Sequence, residues 1–548
     1  MGTLKQMIDK MDNSDAQSIN EEKNPPIFSL SLGSISSTMT TVSIDEKVKE
    51  IEIPKETIEK KETTDEKEGP HIVKTSWIDL RYPIVLLSMF ALSALMSNVV
   101  CFNFVVLFMP STLESENANH TYIGYAKSER TILFSSVAIG ALVAVVPVSH
   151  ATHAYGTRKV FFAAGMLTTV ATALIPYCSR ISLSCFIALR FIQGMSVAAA
   201  MPTVGSIVSN WASLGQHGLF MSTLTTFGQI SSIFSMPVAG YLCMTSFGWK
   251  SVFYLHALVS GVIFAIWYIV YRNQPSKHPW ISGTELGTIH RGKSAADLQK
   301  YDSKGKRKEI PYLYIVTTPA VWAVWIGALG DLVAVQNHHL PYSLFQLIHI
   351  FSPLYLHEVL GYSVEKTGWT AALPVLFQFF VKIFAGHSSD RIVGVSETTK
   401  LRIYNSLALG LSGLFMVALA FVPRGYPTWG IVLLTLSNAM FGFNGGGFNK
   451  CATLVSRQYS HFVMANIQVI LCLSMLISPI LVNSMLRTGA LSEWRLVFIS
   501  HAVLLIVCNI IFCVLTTAKP ALWTEPDVPM SNRRNQSFLS VKSVDPKV

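Results

Sequence analysis

Trp249–Leu258 reads WKSVFYLHAL, and 245 positions later Trp494–Val503 reads WRLVFISHAV. Both stretches set Trp first, a base second, Val-Phe fourth and fifth, and His-Ala eighth and ninth, and both lead into an apolar run. A bilayer core of about 30 Å takes about 20 apolar residues per helix. Windows of that length place six spans before residue 272, the sixth opening near Trp249, and six more after residue 313, the twelfth opening near Trp494. The two decapeptides therefore occupy equivalent places in two six-helix repeats. The Trp is expected at the membrane interface, Lys250 or Arg495 snorkels to headgroups, and His256 and His501 fall just inside. Pro237 and Pro479 are expected to break spans five and eleven, and the loops SHATHAYGTRK (149–159) and GHSSDRIVG (386–394) follow spans two and eight.

Composition agrees with lipid as the solvent. Of 548 residues, 51% are hydrophobic and 14% charged, with mean hydropathy +0.42, where soluble domains carry about 25% charge. The net charge of +10 lies in tails and short loops rather than on a helix face interleaved with aromatics, which argues against nucleic-acid binding. Eight cysteines fall in or beside apolar runs without a CxxC pair, as small core residues do. The first apolar span begins near Pro83, too late for a cleaved signal, so it is expected to serve as an anchor.

Residues 1–76 hold 10 Lys against 15 Asp and Glu with few aromatics, the composition of a disordered tail. The expected organisation is that tail, a six-helix bundle over 77–271, a basic linker over 272–313, a second six-helix bundle over 314–517, and a tail over 518–548. The loops on the linker side carry sixteen Lys and Arg against eight on the other side, which puts both termini in the cytosol. The sequon Asn119-His-Thr121 then lies outside and is a glycosylation candidate. Parallel repeats of this kind underlie alternating-access carriers, with the site near the midplane.

Motifs in order along the chain carry a closer resemblance. RFIQG (190–194), MPTVGSIVSNW (201–211), HPWIS (278–282), SPLYLHEVLGYS (352–363), GWTAALP (368–374), AGHSSDRI (385–392), GFNK (447–450) and EWRLVFISHA (493–502) are together similar to the anion:cation symporters of solute carrier family 17, within the major facilitator superfamily. The resemblance runs from about residue 79 to 525. It implies an all-α membrane protein of 12 transmembrane helices in two pseudo-symmetric bundles, acting as a monomer in lipid. It also implies transport of a small anionic solute, no cofactor, and a co-transported H+ or Na+. Relatives occupy the plasma membrane, lysosomes and synaptic vesicles. The chain departs from the family at several places: Cys101 stands where many members have a first-helix arginine, Val197 where they have a fourth-helix glutamate, and Phe134 where glutamate carriers have a histidine. Asp331 stands near the seventh-helix arginine of those carriers. Vesicular glutamate transport is thereby disfavoured.

Arg190, inside the fourth span, is a candidate for the solute's acid group, since its planar fork suits a carboxylate. Otherwise it is a structural arginine holding backbone carbonyls. Asp331, the one acid well inside a span, is a candidate coupling group for a proton or cation, or a neutralising partner for Arg190. Asn103 and Asn449, set in motifs, are candidate solute neighbours. Asn98, Gln229, Asn444 and Gln468 are commoner as interhelical glue. Lys382 sits close enough to the drawn end of span eight to snorkel. Gly386, Asp390 and Arg391 match the superfamily's conformational latch, a carboxylate meeting a helix N-terminus and a base. The twin frame holds His153 and Arg158, where a histidine is either a pH-sensitive element of closure or, more commonly, drift compensated nearby. The glycines of GFNGGGFNK (442–450) allow close backbone approach. From Tyr314 to Leu356 there are 43 residues, more than one crossing needs, through an outer extension, a re-entrant break at Pro341 or an error in the gene model. His338 and His339 there are adjacent and make a poor metal pair.

No GxSxG or HExxH occurs, which argues against an enzyme. The remaining rivals to a carrier are a transport-inactive solute sensor or scaffold of the same fold, and a channel.

Overall fold

The computed structural model describes residues 79–106, 108–109, 125, 127–293, 310–336, 364–423, 427–485 and 491–524. Asn119, His338, His339 and Pro341 lie outside them. Among the described residues every regular element is helical.

Before the linker come α1 (Arg81–Val105), α2 (Lys127–Tyr155), α3 (Thr157–Ile181), α4 (Leu183–Val197) with α5 (Ala200–Trp211), α6 (His217–Thr225) with α7 (Phe227–Met244), and α8 (Gly248–Val270). The linker contributes α9 (Gly283–His290). After it come α10 (Tyr312–Thr317), α11 (Pro319–Gln336), α12 (Val364–Arg391), α13 (Glu397–Asn405) and α14 (Ser412–Ala420). They are followed by α15 (Pro427–Met440), α16 (Phe448–Ser456), α17 (Ser460–Met485) and α18 (Leu491–Leu515). Eight described stretches are long and apolar enough to cross a membrane, which makes this a multi-pass helical membrane protein. Large apolar side chains such as Leu258, Val262 and Ile266 on α8 and Val503, Val507 and Ile510 on α18 are exposed, as lipid-facing surface must be.

The twin decapeptides adopt the same local structure. Each opens a long helix, and each histidine bonds backward through Nδ1 to the carbonyl four residues earlier, His256 to Val252 and His501 to Val497. His256 Nε2 also meets Ser235 Oγ at 3.1 Å, so this histidine is tied at both nitrogens. Trp494 is buried among its neighbours, while Trp249 is half-buried.

The prolines do not break their helices. Both α7 and α17 run through Pro237 and Pro479. The interruption in the fifth span falls at Thr226 instead, between α6 and α7, and leaves the Thr225 carbonyl free of its helix. Part of the linker is folded: Ser282 caps α9 by accepting from Glu285 N, and buried Glu285 Oε1 accepts from Arg81 N at 2.8 Å. His278 Nε2 meets the Val270 carbonyl and its ring stands edge-on to Trp211, which docks the linker against the end of α8.

Within the N-terminal set α2 crosses α4 at very close range. A Cβ at Gly140 would strike the Phe191 carbonyl, and one at Gly194 the Val137 carbonyl. Small residues permit such crossings where lipid supplies no hydrophobic drive. The two sets meet where α5 and α2 pack on α17, and α6 packs on α12.

Candidate functional site

Arg190 is 1% exposed, and its hydrogen bonds among the described residues stay inside the N-terminal set. Its Nη1 donates to Gln193 Oε1 at 2.8 Å and to the Val99 carbonyl, its Nε donates to the Leu133 carbonyl, and its guanidinium lies 4.4 Å from the Phe102 ring centre. Gln193 passes the network on to Thr172 and the Asn98 carbonyl, and Asn98 donates to Ser260, so α1, α3, α4 and α8 are tied together. In this geometry Arg190 lies outside the central cavity, and two carbonyls, Gln193 and an aromatic face hold its Nε and Nη1 side, which is the arrangement of the structural alternative. Asn103 is likewise buried and away from the central cavity.

That cavity, of about 120 Å3, lies between the two helix sets. Apolar residues such as Val99, Val137 and Phe448 form much of its wall, and Gln229, Asp331, Gln378, Lys382, Asn444, Asn449 and Gln468 supply the polar part. Asn444 Nδ2 donates to Asp331 Oδ2 at 3.0 Å, while Asp331 Oδ1 is buried without a partner among the described residues. Lys382 Nζ donates to the Thr225 carbonyl at 3.0 Å, the one freed by the break between α6 and α7. Asp331 and Lys382 form no ion pair within 4.0 Å, and Arg190 is not Asp331's partner. Sequence reasoning missed Lys382. A span ending near residue 386 leaves Lys382 about one turn from headgroups, whereas α12 continues to Arg391, leaving Lys382 roughly 13 Å from the helix end and 4% exposed. Asn444 sits in the 3-10 turn Phe441–Gly445, which reorients the chain between α15 and α16 and lets Asn444 and Asn449 line one cavity.

On the linker side the sets close on each other. The Asp390 carboxylate caps α6, with Oδ1 accepting from Gly218 N at 3.0 Å and Oδ2 from Leu219 N at 2.7 Å. A carboxylate there meets the positive end of the helix dipole. Lys450 Nζ lies 2.8 Å from Asp390 Oδ1 and 3.1 Å from Glu397 Oε2, and also donates to Ser389. The base beside the carboxylate is thus Lys450, while Arg391 is exposed. The physical reason is direction: Arg391 follows Asp390 on the last turn and projects to solvent, whereas α16 brings Lys450 in from the neighbouring helix. Gly386 and Gly445 both pack on Ser222 of α6, with no room for a Cβ.

The twin frame behaves differently. Arg158 Nε and Nη2 donate to the Tyr268 carbonyl and its backbone N–H donates to Asn273 Oδ1, so it ties α3 to the end of α8 within one set. His153 reaches across, its ring stacked on His461 of α17 at 5.3 Å and 13°. His217 Nδ1 also crosses, to Thr453 Oγ1 at 3.1 Å.

Two helix sets round a cavity with a polar part to its wall, closed toward the linker by a capped helix and stacked rings, define a helical membrane protein with a central chamber. The Major Facilitator Superfamily model matches residues 86–479, and the chain belongs to that superfamily. It is 26% identical over 394 residues to vesicular glutamate transporter 2 of Homo sapiens, covering 71% of this chain and 65% of that one, so the match spans just under two thirds of the relative's length. It is 26% identical over 417 residues to the uncharacterized transporter slc-17.2 of Caenorhabditis elegans, covering 74% of this chain and 82% of that one. Both relatives are transporters rather than enzymes, and the similarity to them agrees with the family 17 resemblance of the motifs. Among solved structures, the proton:xylose symporter XylE bound to 6-bromo-6-deoxy-D-glucose matches with TM-score 0.60 at 12% identity, over 78% of this chain and 94% of that one. A bacterial homologue of the iron transporter ferroportin matches with TM-score 0.56 at 14% identity, over 79% and 98%. At those identities the likeness concerns the fold.

Proposed function

We propose that the chain is a secondary transporter that carries a small acidic solute across a membrane by alternating access. The observation that carries this reading is the chamber between the helix sets, with buried Lys382 on its wall and the linker-side end closed by Asp390 on α6. Lys382 meets the acid group of the solute, and Asn449, Asn444 and Gln378 supply hydrogen bonds. Asp331, unpaired at Oδ1, is where a positive group is held, whether a coupling ion or part of the solute. Release of Asp390 and of the His153–His461 stack opens the linker side, which the charge balance of the loops assigns to the cytosol. The glutamate carriers among the relatives support an organic anion and a vesicle membrane. The inverted charge at Asp331 argues for a different solute.

The test is uptake by proteoliposomes of phosphate, sialate, urate, glutamate and nucleotides at two pH values, with and without Na+. Saturable uptake that Lys382→Gln abolishes supports the proposal. Solute-induced thermal stabilisation without flux replaces it with the sensor.

A further inference from the structure

We infer that the solute of this chamber is a small zwitterion, an amino-acid-like molecule whose ammonium group docks at Asp331 and whose acid group docks at Lys382. The inference rests on the transport reading of the cavity and narrows its substrate. The two charges line one cavity from different helices, α11 and α12, without touching. Opposite charges on one low-dielectric cavity wall that do not pair with each other can each take one group of a molecule carrying the opposite pair.

The remaining valences agree. Asp331 uses one oxygen on Asn444 and leaves the other bare. Lys382 uses one of three N–H groups on the Thr225 carbonyl. The side-chain carbonyls of Gln378, Asn444, Asn449 and Gln468, all on the cavity wall, are buried without partners among the described residues. An ammonium group brings three donors to such a wall, and a simple anion brings none. A monoanion at Lys382 would leave the Asp331 carboxylate buried and unmatched, an arrangement that binding sites avoid. A net-neutral zwitterion leaves no charge over. Thr225 links the site to the break between α6 and α7, since the ammonium that takes the acid group also holds this carbonyl through another of its N–H groups.

The rival is an inorganic cation or proton on Asp331 beside a plain anion on Lys382. Matched probes separate the two: glycine, β-alanine and 4-aminobutyrate against acetate, propionate and butyrate, which lack only the amine. Each is tested with the purified full chain for thermal stabilisation and in proteoliposomes for uptake, with Na+ present or absent and at two pH values. At least one amino acid is expected to bind about tenfold or more tightly than its amine-free partner, independently of Na+, as for a buried charge pair. Asp331→Asn should erase that preference while amine-free binding persists, Asp331→Glu should retain it, and Lys382→Gln should weaken both classes. Unfolding temperatures of the variants without solute show whether each still folds. The inference is overturned if the amine-free acids bind equally well, if their binding needs Na+ or acid, or if folded Asp331→Asn keeps the preference. It is also overturned if none of the six binds; should phosphate or urate then be carried, the transport reading survives alone, and should no solute be bound or carried, both readings fail.

Discussion

Two basic residues of this chain lie where their sequence positions do not suggest: Lys382 on the wall of the central cavity and Arg190 away from it. Arg190 stands in a family motif, yet the carbonyls of Val99 and Leu133 and the Phe102 ring use its fork for packing. Lys382 stands in no motif, yet it carries the cavity's positive charge. Which buried base meets solute depends on where neighbouring helices leave free acceptors, and one sequence does not display that. Asp331 and Asn449, by contrast, were legible, since a lone acid or an amide inside a span is rarely placed there without a polar space. Replacing Arg190 with Ala is expected to lower the unfolding temperature, at a loss on the order of 2–4 kcal/mol from the emptied volume and the stranded acceptors. Its relative affinities among solutes should stay as they were. A changed solute preference with unchanged stability would return Arg190 to the binding site.

At the scale of elements, hydropathy located the helices because lipid demands long apolar runs with internally bonded backbones. It located interruptions poorly. Proline was over-read at Pro237 and Pro479, where the helices continue. The break that matters, Thr225–Thr226–Phe227, carries no Gly or Pro and is visible only through its use, as the acceptor for Lys382. The latch was half legible: Asp390 and Gly386 follow from the motif, but Lys450 comes from a helix sixty residues on. Asp390→Asn keeps one acceptor for α6 and removes the charge that faces the helix dipole and Lys450, so it should destabilise the closed linker side by about 1 kcal/mol. Thiol labelling at Ser222→Cys, otherwise sealed by Gly386 and Gly445, should accelerate in that background; unchanged labelling would show that the cap does not hold the gate.

The docked linker gives a second element-scale prediction. His278 accepts from Trp280 N at Nδ1 and meets the Val270 carbonyl through Nε2, an arrangement for the neutral ring. Burial, despite the bond to the Val270 carbonyl, lowers its pKa below the ordinary histidine value, and Arg272 adds to that. A folded-state pKa below the unfolded one means that docking is fully stabilised above the unfolded value, near 6.5, and loses stability as pH falls below it. Hydrogen-exchange protection of residues 283–290 should therefore drop between pH 7.5 and 5.5, and His278→Asn should flatten the dependence. Protection that rises on acidification would reverse the assignment.

For the whole molecule, the repeated decapeptide was the most informative feature of the sequence. Two copies with the same back-bonded histidine begin equivalent helices, α8 and α18. The duplication did not carry over to the gate. One frame keeps the capping carboxylate, Asp390 on α6, and the other sets His153 against His461. The chamber between the sets is consequently closed by two unlike devices on one side, and the account requires that both part in every transport cycle.

That requirement is tested most directly by joining the two sets at the stacked rings. In a chain whose eight native cysteines are replaced, His153→Cys with His461→Cys is bridged by a short thiol-reactive cross-linker in proteoliposomes, and uptake of the carried solute is measured before and after. Bridging is expected to stop uptake while solute still stabilises the protein, and each single cysteine variant treated alike is expected to keep its flux. Uptake that continues through a fully bridged population would contradict it.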